Sequence, residues 1–163
     1  MSHTDRVTIE IERKFTLAEA PNAEQLGPGV HIRQGYLADE ETVEVRLRIT
    51  ATKATLTVKA GTGMSRTEVE VAISVDEADA LWPHTVGRRI DKTRHRVLLD
   101  GSDGLVAEVD VYGGALAGLC VTEVEFSSES AAAAFAPPAW FGREVTGVPG
   151  WRNSALARHG RPA

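Results

Sequence analysis

The sequence has a single cysteine, only four lysines, few aromatic residues and no long apolar run. Cys120 has no partner within the chain, so a disulfide framework is excluded, and a small buried hydrophobe is its expected role. No stretch approaches the roughly 20 apolar residues that span a bilayer. The start, Met1 to Ile9, has no apolar secretory core. The expected setting is a reducing cytoplasm, with no membrane partner. A phosphate-binding P-loop is also missing, because Gly61-Thr62-Gly63 lacks the helix and the lysine spacing of that motif. No Ser-His-Asp or Cys-His arrangement has local support. The five histidines are scattered without metal-ligand spacing, so His95 is read as structural.

The remaining composition is that of an ordinary globular chain: 163 residues, 42% hydrophobic and 25% charged, which fits one domain over residues 1–163. Eighteen Lys and Arg against 23 Asp and Glu leave a formal charge of −5. That balance argues against generic nucleic-acid binding, which needs a basic face to displace counterions. It says nothing about where the charges sit. Fourteen of the 18 basic residues are Arg, and three of the four Lys fall inside strand-like runs.

The dominant pattern has period two, the mark of strands with one apolar and one polar face. Val7, Ile9 and Ile11 alternate with Thr8, Glu10, Glu12 and then Lys14; Val43, Val45, Leu47 and Ile49 alternate with Glu44, Arg46 and Arg48. The runs Thr55 to Lys59 and Glu68 to Val71 flank a glycine-rich turn and read as a hairpin. Further runs are Val30 to Leu37, Lys92 to Arg96, Ala107 to Tyr112 and Glu123 to Phe126; with the segment around Val97 to Leu99 the count is roughly eight strands. Helices are few: Ser74 to Trp82, Ser127 to Phe135, and a last one over Asn153 to His159. The predicted fold is α+β, mostly β and antiparallel.

A single charged strand face is ordinarily solvated. Here about seven strands carry ionisable residues in one register, and the signs are grouped by strand. Glu10-Glu12, Glu68-Glu70, Glu108-Asp110 and Glu123-Glu125 are acidic pairs at i and i+2; Arg46-Arg48 and Lys92-Arg94 are basic ones. Like charges on one face repel unless opposite charge lies between them. Two geometries supply it: strands of opposite sign neutralising each other on an outer surface, or a sheet closed into a barrel with the charged face inside. In a barrel the apolar face looks outward, and the helices with Leu81, Trp82, Phe135, Trp140 and Phe141 would cover it. About eight strands enclose room for one small ligand. Clustered carboxylates favour a hard divalent cation, Mg²⁺ or Mn²⁺, and opposing Arg and Lys would clamp phosphate oxygens.

Glu10-Ile11-Glu12-Arg13-Lys14 is an E-x-E-x-K motif on a first strand, followed in order by Glu44-Val45-Arg46-Leu47-Arg48, Leu56-Thr57-Val58-Lys59, Ser65 to Glu70, Gly87 to Arg94, Glu108-Val109-Asp110-Val111 and Glu123-Val124-Glu125-Phe126. From about Thr8 to about His159 the chain resembles the CYTH domains, also called triphosphate tunnel metalloenzymes. With its short length and the Arg33-Gln34-Gly35-Tyr36-Leu37 run, it looks most like the small bacterial members that hydrolyse inorganic tripolyphosphate. The resemblance implies a closed eight-stranded antiparallel β-barrel whose tunnel holds a triphosphate by Arg and Lys and a divalent metal by Glu. Members of this size are often dimeric, which makes a homodimer an expectation.

Carried over residue by residue, Glu10, Glu12, Glu123 and Glu125 resemble the metal-binding carboxylates, with Asp110 a ligand directly or through water. Lys14, Arg46, Arg48, Lys59, Arg66, Lys92 and Arg94 resemble the triphosphate clamp. Lys14 and Tyr36 resemble a Lys–Tyr pair that bears on substrate preference, although Tyr36 also fits an amphipathic strand end. Glu68, Glu70 and Glu108 complete the catalytic candidates, to bind metal, orient water or hold the basic residues in place. The stretch Trp151 to Ala157 resembles a helix that plugs or borders one tunnel mouth, and it equally fits a helix covering apolar barrel surface.

The implied reaction is hydrolysis of the terminal phosphoanhydride with water as nucleophile. Thiamine triphosphate and nucleoside triphosphates are alternative substrates on the same fold. A class IV adenylyl cyclase fits less well, since Thr4-Asp5 stands where that branch carries a His-Phe pair. Outside catalysis, a polyphosphate-binding module and a plain β domain with charged outer strands are the competing readings. The implied lumen holds eight acids and seven bases. It is nearly neutral, and two divalent ions would bring it to about +3, suited to a polyanion.

Overall fold

The computed structural model describes residues 7–163, so the Thr4-Asp5 position lies outside the described residues. Eight strands, β1 (Val7–Leu17), β2 (Gly29–Asp39), β3 (Val43–Ile49), β4 (Ala54–Ala60), β5 (Ser65–Ile73), β6 (Arg89–Leu98), β7 (Val106–Tyr112) and β8 (Cys120–Glu125), form a closed barrel. Their order around it is β1-β5-β4-β3-β2-β6-β7-β8, every pair antiparallel. Closure sends one alternating set of side chains inward and the other outward. The register puts Glu12 opposite Glu125, Lys14 opposite Glu123, Lys59 opposite Glu68 and Arg94 opposite Asp110 on one face, and that face is the inner one, lining the lumen or buried behind it. A solvated outer charged face is thereby excluded.

The outward apolar face is covered in two places, by the segments the sequence pointed to. Helix α2 (Val75–Leu81) begins at a Ser74–Glu77 capping box. It lays Ala78 and Leu81, with Trp82, on Leu47, Ile49, Ala54 and Ile73 of β3 to β5. Helix α3 (Glu129–Ala134), capped by Ser128, and the chain after it bring Ala132, Phe135 and Phe141 onto Phe15, Val109 and Val124. Phe15 meets Phe141 with ring centroids 5.0 Å apart. Cys120 is buried in this cluster, as expected. Arg33 faces outward over the Trp82 ring, 5.1 Å from its centroid, and takes no part in the lumen.

A third cluster fills the inside of one barrel end. Tyr36 is opposite Arg46, Ile90 opposite Gln34, Tyr112 opposite Lys92 and Val121 opposite Asp110, so these apolar side chains share the inward face with the charged ones. Val145, Trp151 and Leu156 pack onto them from the C-terminal segment. That segment reaches the barrel by pairing with β1: the Thr16 and Val145 amides donate to the Arg143 and Lys14 carbonyls. Gly142 is needed at the crossing, since a Cβ there would lie 2.5 Å from the Thr16 carbonyl oxygen. Helix α4 (Asn153–His159) then seats Leu156 on the plug, and the Tyr112 hydroxyl donates to Asn153 Oδ1 at 2.5 Å.

The Val97 to Leu99 segment continues β6 as far as Leu98, and β8 begins at Cys120, three residues ahead of Glu123. Helix α1 (Ala23–Leu26), closed by an Asn22–Gln25 capping box, has one turn and gives no periodic signal. No helix among the described residues is long and apolar enough to cross a membrane.

Candidate active site

The lumen encloses a cavity of about 210 Å³. That is below the ~300–1,000 Å³ of a drug-sized pocket, a scale that suits a compact inorganic anion. Glu10, Glu12, Lys14, Arg46, Arg48, Lys59, Arg66, Glu68, Arg94, Glu108, Glu123 and Glu125 line it, all of them singled out from the sequence. Four other singled-out residues lie behind this surface: Lys92 and Asp110, both fully buried; Glu70, which accepts from the Thr57 hydroxyl at 3.3 Å; and Tyr36, buried in the apolar plug. His95 sits on the outside, its Nδ1 3.1 Å from the Gly27 carbonyl oxygen, in keeping with a structural role.

Nearly every lumen cation rests on a carboxylate. Lys59 Nζ lies 2.5 Å from Glu10 and 2.9 Å from Glu68, Arg66 2.9 Å from Glu12, and Lys14 3.2 Å from Glu123. Arg94 is the most connected, forking onto both Asp110 oxygens at 2.7 Å, onto Glu123 at 2.8 Å, and onto Glu108. Lys92 donates to Asp110 at 2.6 Å. Among the described residues the Nε of Arg46 is buried without a hydrogen-bond partner, and the carboxylate nearest its guanidinium, Glu68, stands 3.8 Å from Nη2. An orphaned buried donor facing a polar cavity is a place where an anion's oxygen would be stabilised.

The protonation pattern follows from these pairings. Burial pushes Glu10 up to about 7, helped by the neighbouring Glu12 and Glu68 and opposed by Lys59. Burial works against Glu123, yet Lys14, Arg94 and Lys92 hold it well below the usual carboxylate range. Asp110 is held down in the same way by Arg94 and Lys92. Burial lowers Lys92 to about 7 despite Asp110. Glu125 is pushed up by burial and by Glu108 and Glu12.

Two carboxylate pairs stand directly across neighbouring strands, Glu12 with Glu125 and Glu108 with Glu123. Such juxtapositions cost energy unless a cation lies between them. Glu125, exposed at the mouth, has no ion-pair partner among the described residues. Among those residues no three acidic, histidine or cysteine side chains already converge on one metal-sized point, because Glu10, Glu12 and Glu123 are turned onto Lys59, Arg66 and Arg94. The donor set is all oxygen and fits a hard divalent ion once those cations have another anion to hold.

The sequence reading missed several parts of the wall. Gln34 lies fully buried two residues before Tyr36 on the inward face, and Glu44 lines the cavity two residues before Arg46. The period-two pattern carried both signals. Thr146 also lines the cavity, from irregular chain with no periodicity to reveal it, while Trp151, Arg152 and Asn153 line it from the C-terminal stretch whose resemblance implied a helix at a tunnel mouth.

This closed barrel with a charged interior matches the CYTH domain family model over residues 8–144, and the chain belongs to that family. It is 47% identical over 149 residues to an inorganic triphosphatase of Nitrosomonas europaea, covering 91% of this chain and 96% of that one. An inorganic triphosphatase of Acetivibrio thermocellus is 38% identical over 152 residues, covering 92% and 94%. A crystal structure of an inorganic triphosphatase superposes with a TM-score of 0.68 at 44% identity, covering 94% of this chain and 97% of that one. A putative adenylate cyclase from Bacillus halodurans shares the fold, with a TM-score of 0.57 at 18% identity over 78% and 86% of the two chains.

Proposed function

We propose that this chain is a hydrolase that uses Mg²⁺ or Mn²⁺ to cleave the terminal phosphoanhydride of inorganic tripolyphosphate inside the barrel. The observation that carries the reading is the segregation of opposite charges into one enclosed lumen, in a family whose relatives above are named inorganic triphosphatases. Phosphoryl transfer asks the protein for positioning and charge neutralisation more than for covalent chemistry. Arg46, Arg48, Lys14, Lys59, Arg66 and Arg94 can hold non-bridging oxygens along the anion, with Lys92 reinforcing Arg94 and Asp110 from behind. Glu10, Glu12, Glu123 and Glu125 would hold the metal, with Asp110 supporting them through Arg94. The bound metal supplies neutralisation of phosphate charge and polarisation of the attacking water. Glu68 and Glu108 keep Lys59 and Arg94 in place and can orient water, while Glu70 fixes Thr57. Tyr36 acts from the plug, without reaching the cavity.

The test is phosphate release from tripolyphosphate, thiamine triphosphate and ATP, each with Mg²⁺, with Mn²⁺ and with chelator. Metal-dependent release is expected to be greatest with tripolyphosphate. Release indifferent to metal, or a clear preference for ATP, overturns the reading.

Metal binding must also depend on pH. A carboxyl raised to about 7 keeps its proton below that pH and has to lose it to bind a cation, so acid weakens binding and alkali strengthens it. Without tripolyphosphate, the apparent affinity for Mn²⁺ should fall about tenfold from pH 8 to pH 6 through Glu10 alone. Glu10→Gln, although weaker overall, should lose that dependence in a calorimetric titration. An unchanged slope would show that another group sets it.

A further inference from the structure

Among the seven clamp cations, six have a carboxylate within 4 Å, at Glu123, Glu68, Glu10, Glu12, Asp110 or Glu108. Arg48 is the exception among the described residues. Its one side-chain hydrogen bond there runs from Nε to the neutral Oε1 of Gln34, at 3.1 Å. Gln34 is completely buried on β2, directly opposite Arg48 on β3. Its other amide end donates from Nε2 to the Tyr36 hydroxyl oxygen at 2.5 Å. Arg Nε–H can only donate, so the amide must turn its oxygen toward Arg48 and its nitrogen toward Tyr36. The Arg48 end sets this orientation, and the Tyr36 hydroxyl, able to donate or accept, accommodates it by accepting.

A half-buried cation with no carboxylate within 4 Å is costly to hold, and Arg48 lines the cavity. Burial, with Arg46 and Arg94 nearby, lowers the Arg48 guanidinium to about 10, so it stays charged at neutral pH but gains from an incoming anion. Lys14, Lys59, Arg66 and Arg94 must give up a close carboxylate before they bind phosphate fully, and Arg46 keeps Glu68 at 3.8 Å; Arg48 has none within 4 Å to give up.

We propose that Gln34 is a positioning residue for substrate binding: bridged to Tyr36, it aims the Arg48 guanidinium into the lumen without neutralising it, making Arg48 the anchor for the anion's phosphoryl oxygens. This rests on the tripolyphosphatase reading above. It also gives Tyr36 a place in the site, as the group that fixes the Gln34 amide.

The experiment compares wild type, Gln34→Glu, Gln34→Leu, Arg48→Ala and the Gln34→Leu/Arg48→Ala double variant. It reads kcat and KM for tripolyphosphate with Mg²⁺ and calorimetric affinity for tripolyphosphate without metal, with thermal unfolding to establish that each variant is folded. Gln34→Glu keeps the size and the acceptor but supplies the missing counter-ion. It should weaken metal-free binding and raise KM by about 10- to 100-fold, with the loss falling on KM rather than kcat. Gln34→Leu should raise KM about tenfold in the wild-type background and less than about twofold when added to Arg48→Ala, the non-additivity of groups that act together. Wild-type affinity in Gln34→Glu, or effects of Gln34→Leu and Arg48→Ala that multiply, would overturn the proposal. If Gln34→Leu does not fold, the Gln34→Glu result decides. Should the wild type neither bind nor cleave tripolyphosphate, the functional reading falls and this inference falls with it; wild-type turnover with indifferent Gln34 variants removes the inference alone.

Discussion

Replacing Glu10 and Glu12 together by alanine is expected to lower metal-dependent release of phosphate from tripolyphosphate on the order of 10³-fold, while leaving binding of the anion without metal at least as strong as in the wild type. The two halves of this expectation have one cause. Glu10 holds Lys59 at 2.5 Å and Glu12 holds Arg66 at 2.9 Å. Removing both carboxylates takes two donors from the metal set and at the same moment frees Arg66 for phosphate and leaves Lys59 with Glu68 alone. The lumen, close to neutral as a whole, becomes net basic. A protein that merely stores polyphosphate would show the gain in binding without any turnover to lose. A fall in both binding and turnover would mean that these carboxylates serve the fold instead, and a thermal unfolding comparison would then show the damage directly.

The second large effect is on stability. Asp110→Ala should destabilise the protein by about 3–5 kcal/mol, because it leaves Lys92 without its counter-ion and removes two hydrogen bonds from Arg94. Lys92 and Asp110 are both fully buried, so water cannot take over. For a chain of this size that corresponds to a fall in Tm of roughly 6–20 °C. Adding Lys92→Met should recover much of the loss, since the buried charge then disappears and the thioether chain fills similar space. The comparison is a denaturant or thermal unfolding series on the single and double variants. A single variant as stable as wild type, or a double variant no better than the single, would contradict the account of this pair.

The barrel was legible because alternation and closure are coupled. Once Glu10, Arg46, Lys59, Glu108 and Glu123 share a face with charges grouped by strand, an outer surface and an inner lumen are the only arrangements that neutralise them, and the apolar partners Phe15, Leu47 and Val109 needed cover that the helices could give. The same alternation held Gln34 and Glu44 in plain view. A neutral amide and one more acid add little to a pattern read by charge. The plug was less accessible. Val145 reaches the barrel interior through irregular chain, Trp151 and Leu156 lie in the stretch that only a resemblance set at a tunnel mouth, and their partners Ile90, Tyr112 and Val121 sit in strands at positions that look like any inward register. Periodicity specifies a face, whereas depth along the barrel depends on tertiary pairing. This is also why Lys92, Asp110, Tyr36 and Glu70, correctly placed on the inward face, lie behind the cavity surface instead of on it.

The ion pairs form a state poised for exchange. Before substrate and metal arrive, carboxylates and cations satisfy each other across the lumen; afterwards the cations can turn to phosphate and the carboxylates to metal. Arg48, held by Gln34, is outside this exchange and is therefore where the anion can be captured first.

The most direct test of the account is a crystal structure with tripolyphosphate and Mn²⁺, read by anomalous scattering. The prediction is a phosphate chain inside the barrel against Arg46 and Arg48, with Mn²⁺ about 2.0–2.2 Å from oxygens of the Glu10, Glu12, Glu123 and Glu125 set. Tripolyphosphate bound on the outer surface, or Mn²⁺ held away from these carboxylates, would contradict it.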